Sequence, residues 1–324
     1  MKGYVADRPG GPEVMQLVEL EKPRPAPEEV LVRVMAVGVN RLDTMQRAGN
    51  YPVPKGASQI LGVECAGEVV ELGGRVDRIR RGARVFCLVP GGAYAEYVAV
   101  HHEHVVETPD HWSDAKAASV IETFCTAHET VFELGRLKKG ERALIHAAGS
   151  AVGTTAIQMA VLRGAEVVGT AGTTEKVEGA LRLGARHVLN YRTCDFADAL
   201  LEIYPDGIDF VEDFIGPAYF ARHLRVLRWL GRITMVGLLT NGSSDADTAP
   251  ILGKMLSING FTLRPQNNAA KAAIISRFRK NWMPHLVNGE IDPVIYTELR
   301  FSEAIKSHRI LDNNENFGKV VMTL

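Results

Sequence analysis

The chain has 324 residues, of which 46% are hydrophobic and 23% are charged, a composition typical of folded globular domains. This length exceeds what one hydrophobic core usually organises and favours two domains. The formal net charge of -1 gives no electrostatic basis for binding nucleic acid or an anionic membrane surface. The N-terminus does not resemble a signal peptide, and no apolar run reaches the roughly 18 residues of a membrane span. We therefore expect a cytoplasmic protein.

Four cysteines, Cys65, Cys87, Cys125 and Cys194, are scattered along the chain. No Cys-x-x-Cys pair is present, which argues against a structural zinc site. Reduced and mostly buried thiols are the simpler interpretation.

Strand patterns dominate the N-terminal part of the chain. Runs of β-branched residues are punctuated by glycine and proline, which is typical of short strands joined by turns. The predicted strands cover residues 29–37, 62–72, 84–89 and 93–100. These segments predict a compact β-rich domain.

Helices and strands alternate after Ser113, a predicted helix N-cap, and a first helical stretch that ends at Gly135. Strands are predicted over residues 142–146, 167–170, 187–190, 208–212, 232–236 and 257–263, and helices over 152–162, 175–183, 196–203, 219–227 and 251–255. Alternation of this kind predicts a parallel, doubly wound sheet and hence the α/β fold class.

The C-terminal part is too short to form a third domain. It contains a predicted helix over 269–286 and a closing strand over 319–323, so we expect it to fold back onto the N-terminal domain. The predicted domains are therefore residues 1–122 with 265–324, and residues 123–264.

Residues 146–153, His-Ala-Ala-Gly-Ser-Ala-Val-Gly, join the first strand and the first helix of the alternating part. A dinucleotide-binding fold needs a tight turn of small side chains there, and a helix N-terminus directed at the pyrophosphate. The usual Gly-x-Gly-x-x-Gly becomes Ala148-x-Ser150-x-x-Gly153. The strand before this turn and the helix after it favour dinucleotide binding over a ligand-free turn. We predict cofactor contacts from Ser150, Ala151, Val152 and Gly153.

The end of the second strand of this part indicates which dinucleotide is bound. An NAD-specific site places an acidic residue there to hold the ribose hydroxyls. The sequence instead has Thr170-Ala171-Gly172-Thr173-Thr174-Glu175-Lys176, with no carboxylate that closes the strand. Thr173 can donate a hydrogen bond and Lys176 can supply a counter-charge to a 2′-phosphate. NADPH is therefore predicted, and Glu175 opposes this unless it points to solvent.

Motifs in order along nearly the whole chain resemble one family. They are Gly38-Val39-Asn40-Arg41-Leu42-Asp43, Arg47-x-Gly49-x-Tyr51-Pro52, Gly62-Val63-Glu64-x-Ala66-Gly67, the 146–153 turn, Thr170-Ala171-Gly172-Thr173 with Lys176, Asn190-Tyr191 and Gly318-Lys319-Val320-Val321. The chain resembles the quinone oxidoreductase branch of the medium-chain dehydrogenases/reductases, especially the stress-inducible and zeta-crystallin-like members. The resemblance implies a GroES-like β-rich catalytic domain, a Rossmann domain, and a homodimer joined through the last Rossmann strand, residues 257–263.

The resemblance also assigns site residues. It implies cofactor contacts from Ser150, Gly172, Thr173, Lys176 and Tyr191, with Lys176 and Tyr191 beside the 2′-phosphate. Gly237, Leu238 and Asn316 resemble positions near the nicotinamide. Asn40 and Tyr51 match positions that line the family's substrate cleft.

Zinc-dependent relatives hold the catalytic metal with a Cys near the position of Asn40 and with the His of a Gly-His-Glu motif. Here the second motif is Gly62-Val63-Glu64, and valine cannot bind zinc. We therefore predict a zinc-free site. A quinone tolerates this, because its first reduction product is a phenolate-like anion whose conjugate acid has a pKa of about 10. Asn40 and Tyr51 would orient the acceptor carbonyl, or alternatively only support the fold.

Three functions remain open at this point. The first is an NADPH-dependent quinone oxidoreductase. The second is an NADPH-dependent enone or 2-enoyl (alkenal) reductase, which needs hydride at a β-carbon and a proton donor for the α-carbon, a role for which Tyr51 is the candidate. The third is a non-enzymatic, NADPH-binding crystallin-like protein.

Overall fold

The structure is a computed structural model that describes residues 1–240 and 242–324. The chain divides into two compact units. Unit 1 consists of Met1–Cys125 and Leu263–Leu324, and unit 2 consists of Thr126–Thr262. The sequence placed the two changes of domain at residues 122/123 and 264/265.

The strands are, in chain order, β1 (Lys2–Ala6), β2 (Met15–Glu19), β3 (Glu29–Val39), β4 (Glu64–Leu72), β5 (Arg84–Leu88), β6 (Tyr97–His101), β7 (Val105–Glu107), β8 (Arg142–Ile145), β9 (Glu166–Ala171), β10 (His187–Asn190), β11 (Ile208–Asp213), β12 (Leu227–Met235), β13 (Ser257–Gly260), β14 (Ile295–Arg300) and β15 (Lys319–Thr323). The α-helices are α1 (Arg41–Arg47), α2 (Asp114–Ala117), α3 (Ile121–Ala127), α4 (Ala151–Leu162), α5 (Thr174–Arg182), α6 (Phe196–Ile203), α7 (Pro217–Val226), α8 (Ala249–Gly253), α9 (Asn268–Asn281), α10 (Met283–Val287) and α11 (Ala304–Asp312). A π-helix, His128–Leu134, continues α3. Among the described residues, no helix is both long enough and apolar enough to cross a bilayer.

Unit 1 is built on a seven-stranded sheet with the order β14-β15-β3-β4-β5-β7, in which β6 also pairs with β3. The central strands β3 and β4 are mostly buried, which agrees with their β-branched composition. The C-terminal strand β15 runs antiparallel to β3, with Val320 opposite Val39. This pairing brings Lys319, the first residue of β15, to the end of β3, where Asn40 follows.

Helix α1 was not predicted from the sequence. It begins directly after Asn40, whose backbone N–H donates a 2.8 Å hydrogen bond to Asp43 Oδ2. An acid three residues after the N-cap is a known signature of a helix start, so the spacing from Asn40 to Asp43 contained the signal. The Asn40 side chain does not cap this helix, because it is bonded elsewhere.

Unit 2 contains a six-stranded parallel sheet with the order β10-β9-β8-β11-β12-β13. This confirms the predicted doubly wound sheet. In such sheets, ligands bind beyond the carboxyl ends of the central strands, where the strand order reverses. That point in unit 2 lies between β8 and β11, beside the 146–153 turn.

Several predicted elements have other bounds in the structure. The predicted strand over 93–100 begins only at Tyr97, and the predicted strand over 232–236 begins at Leu227. The predicted helix over 269–286 is divided into α9 and α10 around Trp282, because Pro284 lacks the N–H that a continuous helix needs. The predicted strand over 257–263 ends at Gly260. Ser113 is an N-cap as predicted, and its hydroxyl accepts a hydrogen bond from the backbone of Lys116.

Candidate active site

A buried ion pair with a third polar partner lies where β15 meets β3 and β4 in unit 1. Lys319 Nζ lies 2.5 Å from Glu64 Oε1 and donates a 2.6 Å hydrogen bond to Asn40 Oδ1. Asn40 Nδ2 donates to the same Glu64 oxygen over 3.0 Å, and the other Glu64 oxygen accepts from the backbone of Glu122. Glu64 is 0% and Lys319 is 2% exposed. These three side chains form a closed polar cluster.

The cluster uses both donors of the Asn40 amide. One N–H bond is directed to Glu64, and the same nitrogen lies 3.3 Å from the carbonyl oxygen of Gly38. An amide has two N–H donors, so no donor remains for an acceptor carbonyl. The contacts of Asn40 therefore favour support of the fold over orientation of the acceptor.

A second buried chain of hydrogen bonds begins at Asp43. Its Oδ2 accepts from the Tyr94 hydroxyl over 3.2 Å, and that hydroxyl lies 3.3 Å from His308 Nε2. His308 Nδ1 lies 3.1 Å from Arg47 Nη1. Burial raises the pKa of Asp43 to about 6 and lowers the pKa of His308 to about 3. His308 is thus neutral near pH 7, accepts from Arg47 at Nδ1 and donates to Tyr94 at Nε2.

Tyr51, the second predicted catalytic residue, is half-buried and lies under an arginine of unit 1. The guanidinium carbon of Arg264 is 5.6 Å from the centre of the Tyr51 ring. Arg264 is held by the carbonyl of Pro90 and by the side chain of Gln46, each over 2.7 Å. Sequence reasoning missed Arg264, because its partners come from distant segments and leave no local signal.

The residues around Glu64 do not fit a zinc ion. Val63 has no ligand atom, Asn40 is a poor zinc ligand, and the Glu64 carboxylate is already paired with the Lys319 ammonium. Within residues 1–240 and 242–324, no group of three or more His, Cys, Asp or Glu side chains could hold a metal ion.

The 146–153 turn in unit 2 has the local geometry of a phosphate-binding turn. Ser150 is the N-cap of α4, and its hydroxyl accepts a 3.0 Å hydrogen bond from the Gly153 N–H. Ala147 has a φ of 47°, which turns the chain sharply from β8 towards the helix. A Cβ atom on Gly153 would lie 2.3 Å from the Ala147 carbonyl oxygen, so this position requires glycine. Ala151 and Val152 begin the helix, and with Ser150 they are half-exposed. Its N-terminal N–H groups could therefore bind an anion.

Two cations and one hydroxyl lie near the end of β9. A Cβ atom on Gly172 would lie 2.3 Å from the Tyr191 hydroxyl and 3.3 Å from Arg192 Nε, so both side chains lie against Gly172. The aliphatic chain of Lys176 packs over Gly149, where a Cβ atom would lie 2.9 Å from Lys176 Cδ. Arg192 was not predicted, although it follows the predicted Tyr191 directly.

The acid in this segment is an ordinary helix-start residue. Thr173 is the N-cap of α5, and its hydroxyl accepts a 3.3 Å hydrogen bond from the backbone of Lys176. Glu175 is exposed, and hydrogen bonds from its own backbone and from Thr173 lower its pKa. It therefore accepts hydrogen bonds in the first turn of α5 instead of closing the strand. This removes the feature that opposed binding of a 2′-phosphate.

The three remaining predicted residues belong to different units. Gly237 and Leu238 follow β12 in unit 2, where Leu238 packs against Gly216 and is 57% exposed. Asn316 belongs to unit 1, is buried, and donates a 2.7 Å hydrogen bond to the carbonyl of Gly318. Its amide stabilises the turn that leads into β15.

Two buried histidines hold the start of the 146–153 turn. His146 Nε2 lies 2.9 Å from His223 Nε2, and His146 Nδ1 lies 2.8 Å from Thr170 Oγ1. Burial lowers the pKa of His223 to about 3 and lowers the pKa of His146 as well. Both rings are therefore neutral and share one hydrogen bond. They tie β8 to β9 and α7, so His146 has a structural, hydrogen-bonded role.

Comparisons with known proteins agree with both units. Residues 26–110 match the family model "Alcohol dehydrogenase GroES-like domain", and residues 151–276 match "Zinc-binding dehydrogenase". The chain is 30% identical to a quinone oxidoreductase of Lama guanicoe over 319 residues, which cover 97% of this chain and 95% of the relative. This chain belongs to the quinone oxidoreductase branch of the medium-chain dehydrogenase/reductase superfamily. The resemblance stated from the sequence is thereby confirmed.

Other members of this superfamily are equally similar. A 2-haloacrylate reductase of Burkholderia sp is 31% identical, with 98% of this chain and 97% of that protein covered. The solved Escherichia coli quinone oxidoreductase complexed with NADPH is 27% identical and superposes with a TM-score of 0.91 over 100% of both chains. A phenolphthiocerol/phthiocerol polyketide synthase protein of Mycobacterium tuberculosis is 30% identical over 98% of this chain, which spans only 14% of that much longer protein.

Proposed function

We propose that this member of the superfamily is an NADPH-dependent quinone oxidoreductase that works without a metal. The observation that carries this proposal is that Tyr191 and Arg192 lie against Gly172, just beyond the end of β9, where no carboxylate closes the strand. Lys176 follows in the first turn of α5 and packs over Gly149 of the 146–153 turn. Relatives named quinone oxidoreductase, and the NADPH complex of the Escherichia coli protein, support it.

The residues of unit 2 fit a phosphorylated dinucleotide. Ser150 and the N–H groups at the start of α4 would hold the pyrophosphate. Lys176 and Arg192 would pair with the 2′-phosphate, and the Tyr191 hydroxyl would donate a hydrogen bond to it. When bound, NADPH supplies the hydride that reduces the acceptor.

In unit 1, Tyr51 is the residue that we propose orients the acceptor carbonyl. Reduction of a quinone by hydride gives a hydroquinone anion with a conjugate acid of pKa about 10, so this product needs hydrogen-bond donors more than a Lewis acid. The Tyr51 hydroxyl is such a donor, whereas the Asn40 amide is already committed to Glu64 and Gly38.

The test is a comparison of NADPH and NADH oxidation against ortho- and para-quinones, enones and alkenals, with oxygen consumption recorded to detect semiquinone cycling. We expect quinone reduction with a preference for NADPH, unchanged after treatment with 1,10-phenanthroline. Absence of quinone turnover would contradict the proposal, as would loss of activity on chelation with recovery by zinc. Binding of NADPH without turnover of any acceptor would support the non-enzymatic alternative.

Reduction of an electron-poor alkene is the second candidate. It requires hydride at the β-carbon and a proton at the α-carbon, and the Tyr51 hydroxyl could deliver that proton. The similarity to a 2-haloacrylate reductase favours this candidate. The same panel separates the two, since only an alkene reductase converts enones and alkenals.

We also propose a homodimer through the free edge of β13. This strand ends the sheet of unit 2, and an unpaired strand edge invites pairing with a second copy. Large apolar side chains are exposed on or near it: Trp229, Leu230, Met255 and Ile258. Exposed apolar side chains beside an unpaired strand edge are typical of an oligomer interface.

A further inference from the structure

Arg264 is a buried cation with an unused donor. Its side chain is 4% exposed, and its Nε and Nη2 atoms are held by Pro90 and Gln46. The third nitrogen, Nη1, is buried and has no hydrogen-bond partner among the described residues. A guanidinium cannot lose its proton in a protein, and a buried donor without a partner destabilises the fold. Such a group is expected where a ligand completes the hydrogen bonding.

A second cation increases the local positive charge. Lys271, on α9, is also buried, and burial followed by the charge of Arg264 lowers the pKa of its ammonium. Burial lowers the pKa of Arg264 itself, while Asp43 and Tyr51 act in the opposite direction. In the described part of the chain, no carboxylate oxygen forms an ion pair with Arg264 or Lys271, that is, none lies within 4.0 Å of their side-chain nitrogens. Positive charge is therefore in excess at this place in unit 1.

Tyr51 connects this excess charge with the proposed acceptor site. The Arg264 guanidinium lies against the Tyr51 ring, and its two fixed hydrogen bonds leave it little freedom to turn away. A planar guanidinium with free N–H groups matches the geometry of a carboxylate better than that of a neutral carbonyl.

We propose that Arg264, with Lys271 as a second positive charge, binds the carboxylate of an anionic acceptor, so that the substrate class includes 2-alkenoates. This inference rests on the second candidate of the proposed function, reduction of an electron-poor alkene, and specifies its acceptor. An anionic oxygen could instead belong to a cofactor phosphate, and the experiment below separates these two sources.

The experiment compares 2-chloroacrylate with its methyl ester, which differ in the charge that Arg264 would recognise. For Arg264→Gln we expect KM for the acid to rise by at least about tenfold, because a charged hydrogen bond to the carboxylate is lost. KM for the ester should change little. Arg264→Lys should restore part of the loss for the acid. Lys271→Met should raise KM for the acid but not for the ester. This variant tests the proposal even if Arg264→Gln folds poorly.

A matched control is Arg232→Gln, since Arg232 also donates to backbone carbonyls but belongs to unit 2. This control should leave the ratio of KM for acid and ester unchanged. If Arg264→Gln changes KM for the acid and the ester equally, or changes neither, the proposal is overturned. Arg264 Nη1 would then be expected to bind a buried water. Weaker binding of both NADPH and NADH with an unchanged acid-to-ester ratio would also overturn it, in favour of a cofactor phosphate.

Binding measured without turnover separates this inference from the proposed function. Calorimetric titration of 2-chloroacrylate into the wild-type protein and into Arg264→Gln, each with NADP⁺ present, needs no catalysis. If the wild type binds the acid and the variant does not, the inference holds even when no acceptor is reduced. If the wild type reduces quinones but does not bind the acid, the inference fails and the proposed function stands.

Discussion

Lys319 donates a 2.6 Å hydrogen bond to Asn40, a residue 279 positions earlier in the chain, and both side chains contact Glu64. The antiparallel pairing of β15 with β3 creates this contact. The C-terminal strand thus completes the polar cluster next to the start of α1.

Removing the charge of Lys319 should destabilise the protein strongly. In Lys319→Met the buried Glu64 carboxylate loses its counter-charge, and breaking such a pair costs about 3–5 kcal/mol. Urea unfolding measures the change. Lys306→Met removes an exposed pair with Glu303 and should cost less than about 1 kcal/mol. Equal effects of the two variants would contradict a special role of the buried cluster.

Lys176 should determine the preference for NADPH. In Lys176→Met the 2′-phosphate would lose a charged partner that contributes about 1.5–3 kcal/mol. The Kd of NADPH should therefore rise roughly tenfold to a hundredfold. The Kd of NADH, which lacks that phosphate, should change little. Fluorescence titration of both dinucleotides checks this. The control is Arg182→Gln, an exposed change at the end of the same helix. If Lys176→Met weakened the binding of NADPH and NADH equally, the assignment of Lys176 to the 2′-phosphate would be refuted.

Tyr51 should act through its hydroxyl. Tyr51→Phe keeps the ring against Arg264 but removes the donor, so kcat/KM for quinones should fall about tenfold, as expected for one lost hydrogen bond in the transition state. Unfolding should be unaffected within error. Unchanged kcat/KM for several quinones would remove Tyr51 from the mechanism.

Glu212 should make the free energy of unfolding depend on pH at values above those at which ordinary carboxyl groups titrate. Its Oε1 accepts a 2.6 Å hydrogen bond from Thr130, and its buried Oε2 has no hydrogen-bond partner within residues 1–240 and 242–324. Burial raises the pKa of Glu212 from 4.5 to about 8. The folded state therefore keeps a proton that the unfolded state releases.

The stability that this proton gives is complete below pH 4.5 and is lost as the pH rises through about 8. The loss amounts to about 1.4 kcal/mol per pH unit at most. Glu212→Gln should flatten the curve of unfolding free energy between these values, while the exposed change Glu202→Gln in α6 should not. A Gln variant with the wild-type slope would show that Glu212 is ionised in the folded protein.

The proposed dimer should depend on the edge of unit 2. Ile258→Lys places a charge on the free edge strand β13 and should convert the dimer to a monomer, measured by light scattering after gel filtration. Leu17→Lys changes an apolar residue of similar exposure on β2 and is the control. A dimer that persists in Ile258→Lys would require another interface.

Sequence alone determined the features that depend on neighbouring residues. The strand–helix alternation predicted the parallel sheet, because a parallel pair of consecutive strands needs a crossover that a helix supplies. Ser113 was identified as a helix start because an N-cap is a local interaction between a hydroxyl and an N–H three residues away. Gly153 was also identified from the sequence. The carbonyl oxygen that leaves no space for a Cβ atom there belongs to Ala147, in the same turn.

Only the tertiary structure decided which distant side chains share a partner. The motif that contains Lys319 was recognised, but nothing in its spacing connects it with Glu64 or Asn40. The same holds for Arg264, whose partners Gln46 and Pro90 come from a distant part of the chain. A long side chain satisfies its donors wherever the topology brings an acceptor within reach, and the order of residues does not encode that distance. From the sequence, Asn40 was therefore a candidate donor to the acceptor, whereas in the fold its amide already donates to Glu64.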